Sequence, residues 1–203
     1  MKRTLAFLML FMTAGLTISA QNMDKKYKSI EVAIDIDAPA EKVWKAMVQD
    51  YGAISNWSPY IYAANYENGS LSGVKGAERK CDLNANGTRW VHERIADIDE
   101  KKMEMRNIIL DGAKFPLDAD NTQAYYRVKD NGNGTSTASY LMQFRGKPAF
   151  MTGMMKGSFK KTLANNLKGL KHYVETGEQV TPFNNKIKDI KKEYEVTFAK
   201  QAL

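Results

Sequence analysis

Residues 148–176 read PAFMTGMMKGSFKKTLANNLKGLKHYVET. Apolar side chains recur at Met151, Met155, Phe159, Leu163, Leu167, Leu170 and Val174, one stripe of a helix with a period of about 3.6 residues. Lys156, Lys160, Lys161, Lys168 and Lys171 occupy the other face. At ~1.5 Å per residue such a helix extends on the order of 40 Å, so its apolar stripe needs a partner of similar length. The chain before it reads mostly as strands, which makes that partner a sheet. The N-terminal half of the helix differs from the rest. It holds Met151, Met154 and Met155 together with Gly153 and Gly157. Each glycine costs about 1 kcal/mol against alanine, and methionine suits surfaces that fit variable apolar shapes. Two readings follow: a loosely filled core, or the wall of a cavity lined by these methionines and Phe159. Leu163 to Val174 reads as ordinary packing.

Working backwards, SIEVAIDID (residues 29–37) alternates Ile30, Val32, Ile34 and Ile36 against Glu31, Ala33, Asp35 and Asp37, the pattern of a half-buried strand. Asp37 is placed to cap a helix that carries Pro39 and Glu41 in its first turn and buries Val43, Trp44 and Met47. A second short helix and a turn follow through Trp57 and Pro59. Strands are then expected over 62–67, 77–83, 88–97, 103–110, 123–129 and 135–144. Asn68-Gly69, Asn86-Gly87, Asp111-Gly112 and Asn133-Gly134 punctuate them. Tight Asn-Gly and Asp-Gly turns imply an antiparallel meander. The three Asn-Gly-Ser/Thr triplets are read as turn chemistry. Beyond Gly177 and Pro182, the spacing of Ile187, Ile190, Tyr194 and Phe198 predicts an amphipathic tail helix.

The chain of 203 residues opens with Lys2 and Arg3 ahead of an apolar run from Leu5 to Leu16 and then Ile18-Ser19-Ala20. This has the form of a cleavable secretory signal and falls short of the ~20 apolar residues of a membrane span. The organisation expected is a signal over 1–20, one ligand-binding domain over 21–178 and a tail over 179–203. The product would be exported, periplasmic or secreted. The net charge of +7 is mild, and no arginine strip interleaved with aromatics points to nucleic acid. Peripheral contact with an anionic membrane surface is compatible with it. A lone cysteine, Cys81, makes neither an intrachain disulfide nor a zinc site. His92 and His172 lie on separate elements, so no metal is expected and no cofactor is implied. No nucleophile–histidine–acid grouping or phosphate loop is present.

Four stretches now carry a resemblance. Ile34-Asp-Ile-Asp-Ala-Pro-Ala-Glu-Lys-Val-Trp44, the turn Ser55-Asn-Trp57-Ser-Pro59, Val91-His-Glu93-Arg94-Ile-Ala-Asp-Ile-Asp99 and the long C-terminal helix together resemble the START-like polyketide cyclase/dehydrase and lipid-transport superfamily (SRPBCC). Its members include the birch-pollen-allergen group and the plant abscisic acid receptors. The resemblance covers residues 28–175 or so. It implies an α+β helix-grip fold: a seven-stranded antiparallel sheet wrapped around the long C-terminal helix, with a short helix pair, here followed by the appended tail helix. It also implies a hydrophobic small-molecule ligand held between sheet and helix, and it leaves open whether any reaction is catalysed.

Glu93 is the polar group of most interest. In its strand, Val91, Glu93 and Ile95 share one face, while Trp90, His92 and Arg94 share the other. Either the first face is inner and a carboxylate enters an apolar space, or the second is inner and Glu93 is solvated. In the hormone receptors the matching glutamate lines the pocket. Arg106 on the next strand is placed to face Glu93 or to sit at the surface. Tyr62 and Tyr126 offer phenols to a pocket. Tyr62 stands where the receptors carry a ligand-binding lysine, which argues against an acidic ligand. The ligand-lining set expected is thus Tyr62, Glu93, Arg106, Tyr126, Met151, Met154, Met155 and Phe159. A binder, an acid–base enzyme using Glu93 or a tyrosine, and an envelope protein acting through its tail are the competing functions.

Overall fold

The computed structural model describes residues 27–199. The expected signal, residues 1–20, lies outside the described residues. Strand β1 (Lys28–Ile36) leads into helix α1 (Ala40–Trp44), which continues as a π-helical turn to Gln49 and a 3-10 stretch, Tyr51–Asn56. Then come β2 (Ala63–Glu67), β3 (Glu78–Asp82), β4 (Trp90–Asp99), β5 (Glu104–Ala113), β6 (Gln123–Asp130) and β7 (Ser136–Phe144). The long helix α2 (Thr152–Thr176) follows, then a single turn α3 (Ile187–Ile190) and a two-residue strand β8 (Thr197–Phe198). All the strands form one sheet in the order β2-β3-β4-β5-β6-β7-β1-β8, and every neighbouring pair is antiparallel. The sheet grips α2 as the helix-grip arrangement requires. It gains an eighth strand beyond the seven expected because the tail pairs with β1.

Period-2 alternation places Ile30, Val32, Ile34 and Ile36 of β1 inside, all nearly sealed from solvent. Full burial of each such side chain contributes about 1.5–3 kcal/mol. Trp44, Met47, Val48, Tyr51 and Ile54 from the short helices fill one end of the inner face. Asp37 does not cap α1: Pro39 holds the cap position without a side-chain bond, and the Asp37 amide donates to Glu175 Oε1 at 2.7 Å. The strand end is thereby tied to the far end of α2.

Helix α2 lies over β1 and touches β7. Leu167, Leu170 and Val174 are sealed, whereas Met151, Met155, Phe159 and Leu163 are only half-buried. Burial therefore falls steadily from the C-terminal to the N-terminal half of the stripe. Two devices fix the sealed half. Gly169 approaches Trp57 so closely that a Cβ there would lie 2.1 Å from the Trp57 carbonyl oxygen. Gly177 ends the helix with φ 78°, the left-handed conformation glycine adopts without strain.

The tail departs from the expected helix. After one turn at α3 it runs irregularly and then extended. Lys168 Nζ holds the Lys191 carbonyl at 2.5 Å. The Tyr194 hydroxyl meets His172 Nδ1 at 3.0 Å, and Val32 and Ala33 of β1 pair with Phe198 and Thr197. The open edge of β1 and the polar groups of α2 outbid the helical pattern.

Candidate functional site

The inner face of the sheet carries one buried charge pair. Arg79 sits between Ala77 and Cys81 on the inner side of β3, and its side chain is 1% exposed. Its cross-strand neighbour on β4 is Glu93. Arg79 Nε and Nη2 both donate to Glu93 Oε2, at 2.9 and 2.8 Å. Nη1 donates to the Tyr51 carbonyl at 2.9 Å, and Nη2 reaches the Tyr126 hydroxyl at 3.4 Å. The guanidinium also lies 3.9 Å from the centroid of the Tyr51 ring, a cation–π contact. The Tyr51 hydroxyl donates to Asn107 Oδ1 at 2.5 Å, and the Tyr126 ring packs edge-on against Tyr140 at 4.5 Å.

These partners explain how a charge survives there. Burial works against the Arg79 cation, but Tyr51 and Glu93 outweigh it and hold its pKa well above the ordinary arginine value. Burial pushes the Tyr126 hydroxyl up to about 12, Arg79 opposing, and raises Tyr51 and Tyr140 as well. Burial likewise pushes the Cys81 thiol up to about 12, which leaves it a neutral, inert packing group.

Glu93 is the member of this cluster that solvent still reaches, with its side chain 16% exposed. Both of its hydrogen bonds fall on Oε2, and Oε1 accepts none from the described residues. Around it the inner face is incompletely covered. Ala64, Leu83, Ile109 and Phe115 on the sheet side, and Met155, Phe159 and Leu163 on α2, are apolar, inward and only half-buried. Between β3–β5 and the first half of α2 the inner face thus holds half-buried apolar side chains beside one carboxylate oxygen that no described residue engages.

The expected site residues divide. Glu93 and Tyr126 belong to the cluster. Met155 and Phe159 pack half-buried against Ile30, Leu117 and Phe144, with the Phe159 and Phe144 rings 4.9 Å apart. Met151 is half-buried beside them in sequence. Met154 does not line a cavity: it is 77% exposed, because one residue along a helix turns the side chain by about 100° away from Met155. Tyr62 lies outside β2, edge-on to Phe183 of the tail at 5.3 Å. Arg106 does not face Glu93. Register shifts in the β4–β5 ladder set Glu93 opposite Ile109 and Arg106 opposite Asp97. Arg106 therefore points to the outer face, where Nε donates to Asp97 at 2.9 Å and Nη1 to Gln123 at 3.3 Å. There it borders an outer concavity of about 710 Å³ with Arg94, Ile108 and Gln123.

Sequence reasoning missed Arg79, Tyr51 and Asn107. The signal for Arg79 was present, since it alternates in phase with Ala77 and Cys81 on a strand whose small residues mark an inner face. Among the described residues no three His, Cys, Asp or Glu side chains gather at metal-ligand spacing. His92 Nε2 lies 3.0 Å from Glu78 Oε2 on the outer face, in poor alignment for a hydrogen bond.

Residues 28–175 match the sequence model of a family described as polyketide cyclase/dehydrase and lipid transport. No curated protein matches the chain. Among solved structures, the crystal structure of Ara h 8.0201 aligns with a TM-score of 0.59 at 20% identity, covering 74% of this chain and 99% of that one. A solution structure from Thermobifida fusca aligns with a TM-score of 0.59 at 22% identity, over 72% of this chain and 92% of that one. An uncharacterized protein from Bacillus thuringiensis aligns with a TM-score of 0.54 at 21% identity, over 72% of this chain and 98% of that one. At these identities the likeness is one of fold.

Proposed function

The chain belongs to the polyketide cyclase/dehydrase and lipid transport family, a hydrophobic ligand-binding fold, and we propose that it binds an amphipathic small molecule in the cleft between β3–β5 and the first half of α2. The observation that carries this reading is Glu93. Its Oε2 is locked by Arg79 while Oε1 is unengaged and accessible. A carboxylate so placed accepts a hydrogen bond, so the ligand's polar end is a donor, a hydroxyl or an amine, attached to an apolar body that lies along Leu83, Ile109, Phe159 and Leu163. An acid would meet a like charge there.

Binding is favoured over acid–base catalysis by the state of the neighbouring groups. Tyr126 stays protonated up to about pH 12 and is sealed with Tyr140, so neither phenol is poised to move a proton near neutrality. We also propose that the protein acts outside the cytoplasm, on the strength of Lys2, Arg3 and the Leu5–Leu16 run. The mature N-terminus would then lie at or near Gln21, as intact mass of material from the native host would report.

Native mass spectrometry of protein purified from its own host tests the binding reading. The expected companion is a neutral or amine-bearing amphiphile. Replacing the pair together, Arg79→Met with Glu93→Leu, keeps the fold but weakens that compound by about tenfold or more, the weight of a hydrogen bond to a charged group. Recovery of a carboxylic acid, or unchanged affinity in the double variant, would remove Glu93 from the role of anchor.

A further inference from the structure

The entry to α2 is bare on its outer side. Phe150 is 78% and Met154 77% exposed, four residues apart and therefore neighbours on one side of the helix start. Pro148, Ala149, Gly153 and Gly157 beside them are exposed as well, and a Cβ built on Gly153 or Gly157 would meet nothing within 4 Å. Single exposed apolar residues are ordinary on protein surfaces, but a contiguous group of them marks an interaction site. The surroundings are of one sign. Lys147 and Lys161 are exposed around the tip, Lys160 holds its ammonium 5.1 Å from the centre of the Phe198 ring of the tail, and the chain carries no Asp or Glu between Asp130 and Glu175. Asp118 comes within 3.9 Å of Arg145 at the base of this segment.

We propose that this tip is a docking surface for an anionic lipid bilayer. Phe150 and Met154 enter the boundary between headgroups and acyl chains, and Lys147 and Lys161 lie among the phosphates. Two apolar side chains alone give weak, reversible adsorption. Each lysine near an anionic surface adds a factor of about five. The chemistry therefore demands both parts, and binding depends on anionic lipid. A partner protein would need a matching acidic rim, whereas a bilayer rich in phosphatidylglycerol offers negative charge and apolar depth together. The tip lies at the half-buried end of α2, so docking brings that end of the helix to the membrane. The surface itself works whether or not the cleft is loaded, and its failure would leave the cleft reading intact.

A local probe is required, so that adsorption at the tip is read apart from the rest of the chain. Gly153→Cys labelled with an environment-sensitive fluorophore reports the tip while keeping Phe150 and Met154, and sealed Cys81 does not compete for the label. Glu193→Cys gives a control position on the tail. Vesicles with a high fraction of phosphatidylglycerol should shift the residue 153 emission to the blue, pure phosphatidylcholine vesicles should not, and the control should stay unchanged. Phe150→Ser with Met154→Ser should abolish the shift, as should Lys147→Glu with Lys161→Glu, each lowering vesicle affinity at the tip by about tenfold or more. Circular dichroism checks that these exposed substitutions leave the fold intact. An unmoved spectrum with anionic vesicles, or an equal shift with neutral ones, overturns the proposal. A shift that instead grows with protein concentration in the absence of lipid assigns the face to a second copy of the chain and overturns it too.

Discussion

Arg79 and Glu93 show how much a single buried charge depends on its partner. Arg79→Met alone strands the Glu93 carboxylate on the inner face, and Glu93→Gln alone strands a sealed guanidinium. Removing one partner of such a pair costs about 3–5 kcal/mol, whereas replacing both with apolar groups is often neutral. Urea denaturation of the two single variants and the Arg79→Met/Glu93→Leu double variant should show the singles destabilised by that amount and the double restored to within ~1 kcal/mol of the parent. Additive losses would mean the two residues do not act as a unit. From the sequence alone, Glu93→Gln looks harmless to the fold; the sealed counter-ion makes it costly. Alternation groups Glu93 with Val91 and Ile95 on one face but does not say which face is inner; the burial of Val91 and Ile95 does. Its partner could not be read from the sequence, because cross-strand neighbours depend on register, and the register that sets Ile109 opposite Glu93 puts Arg106 on the other face by plain alternation.

Three glycines of α2 share one helix and have opposite duties. Alanine is the better helix former by about 1 kcal/mol. At Gly153 and Gly157 a Cβ enters open space, so Gly→Ala there should stabilise the protein by up to that amount. At Gly169 the added atom would sit 2.1 Å from a backbone oxygen of Trp57, which cannot rotate away. Gly169→Ala should therefore destabilise by ~1–3 kcal/mol through overpacking, despite the better propensity. Melting temperatures of the three variants decide it, and a stable Gly169→Ala protein would show that α2 is free to lift from the Trp57 turn. The helix and the seven long strands were legible because each carries its own period over many residues. The tail was not. Its spacing of Ile187, Ile190 and Tyr194 satisfies a helix, but the alternatives are a lysine on α2 and an unpaired edge of β1, neither visible from within the segment.

At the scale of the molecule, the interior is neutralised by protonation as well as by pairing. Cys81 is shifted from 9.0 to about 12 and Tyr126 from 10.0 to about 12, and burial raises Tyr51 and Tyr140 too. These groups are acids whose folded pKa exceeds the unfolded one. Their contribution to stability is complete below about pH 9 and is lost as pH climbs toward 12. For Tyr126 alone the displacement corresponds to ~3 kcal/mol. Urea midpoints measured from neutral to alkaline pH should hold below about 9 and then fall steeply, with phenolate absorbance of the buried tyrosines appearing only as the protein unfolds. A midpoint flat through that range would contradict their burial. The antiparallel meander and the helix grip followed from the linear succession of elements and the family pattern. Which part of the inner face stays half-covered did not, because it depends on how α2 crosses over β1 and β7, a crossing that no single segment encodes. The eighth strand has a consequence of another kind. β8 covers Val32 and Ala33 at one margin of the sheet, while β2 at the other margin packs beside Tyr51–Asn56. A version lacking the tail would leave the whole of β1 open to a strand from another copy, so it should self-associate more readily at high concentration than the parent.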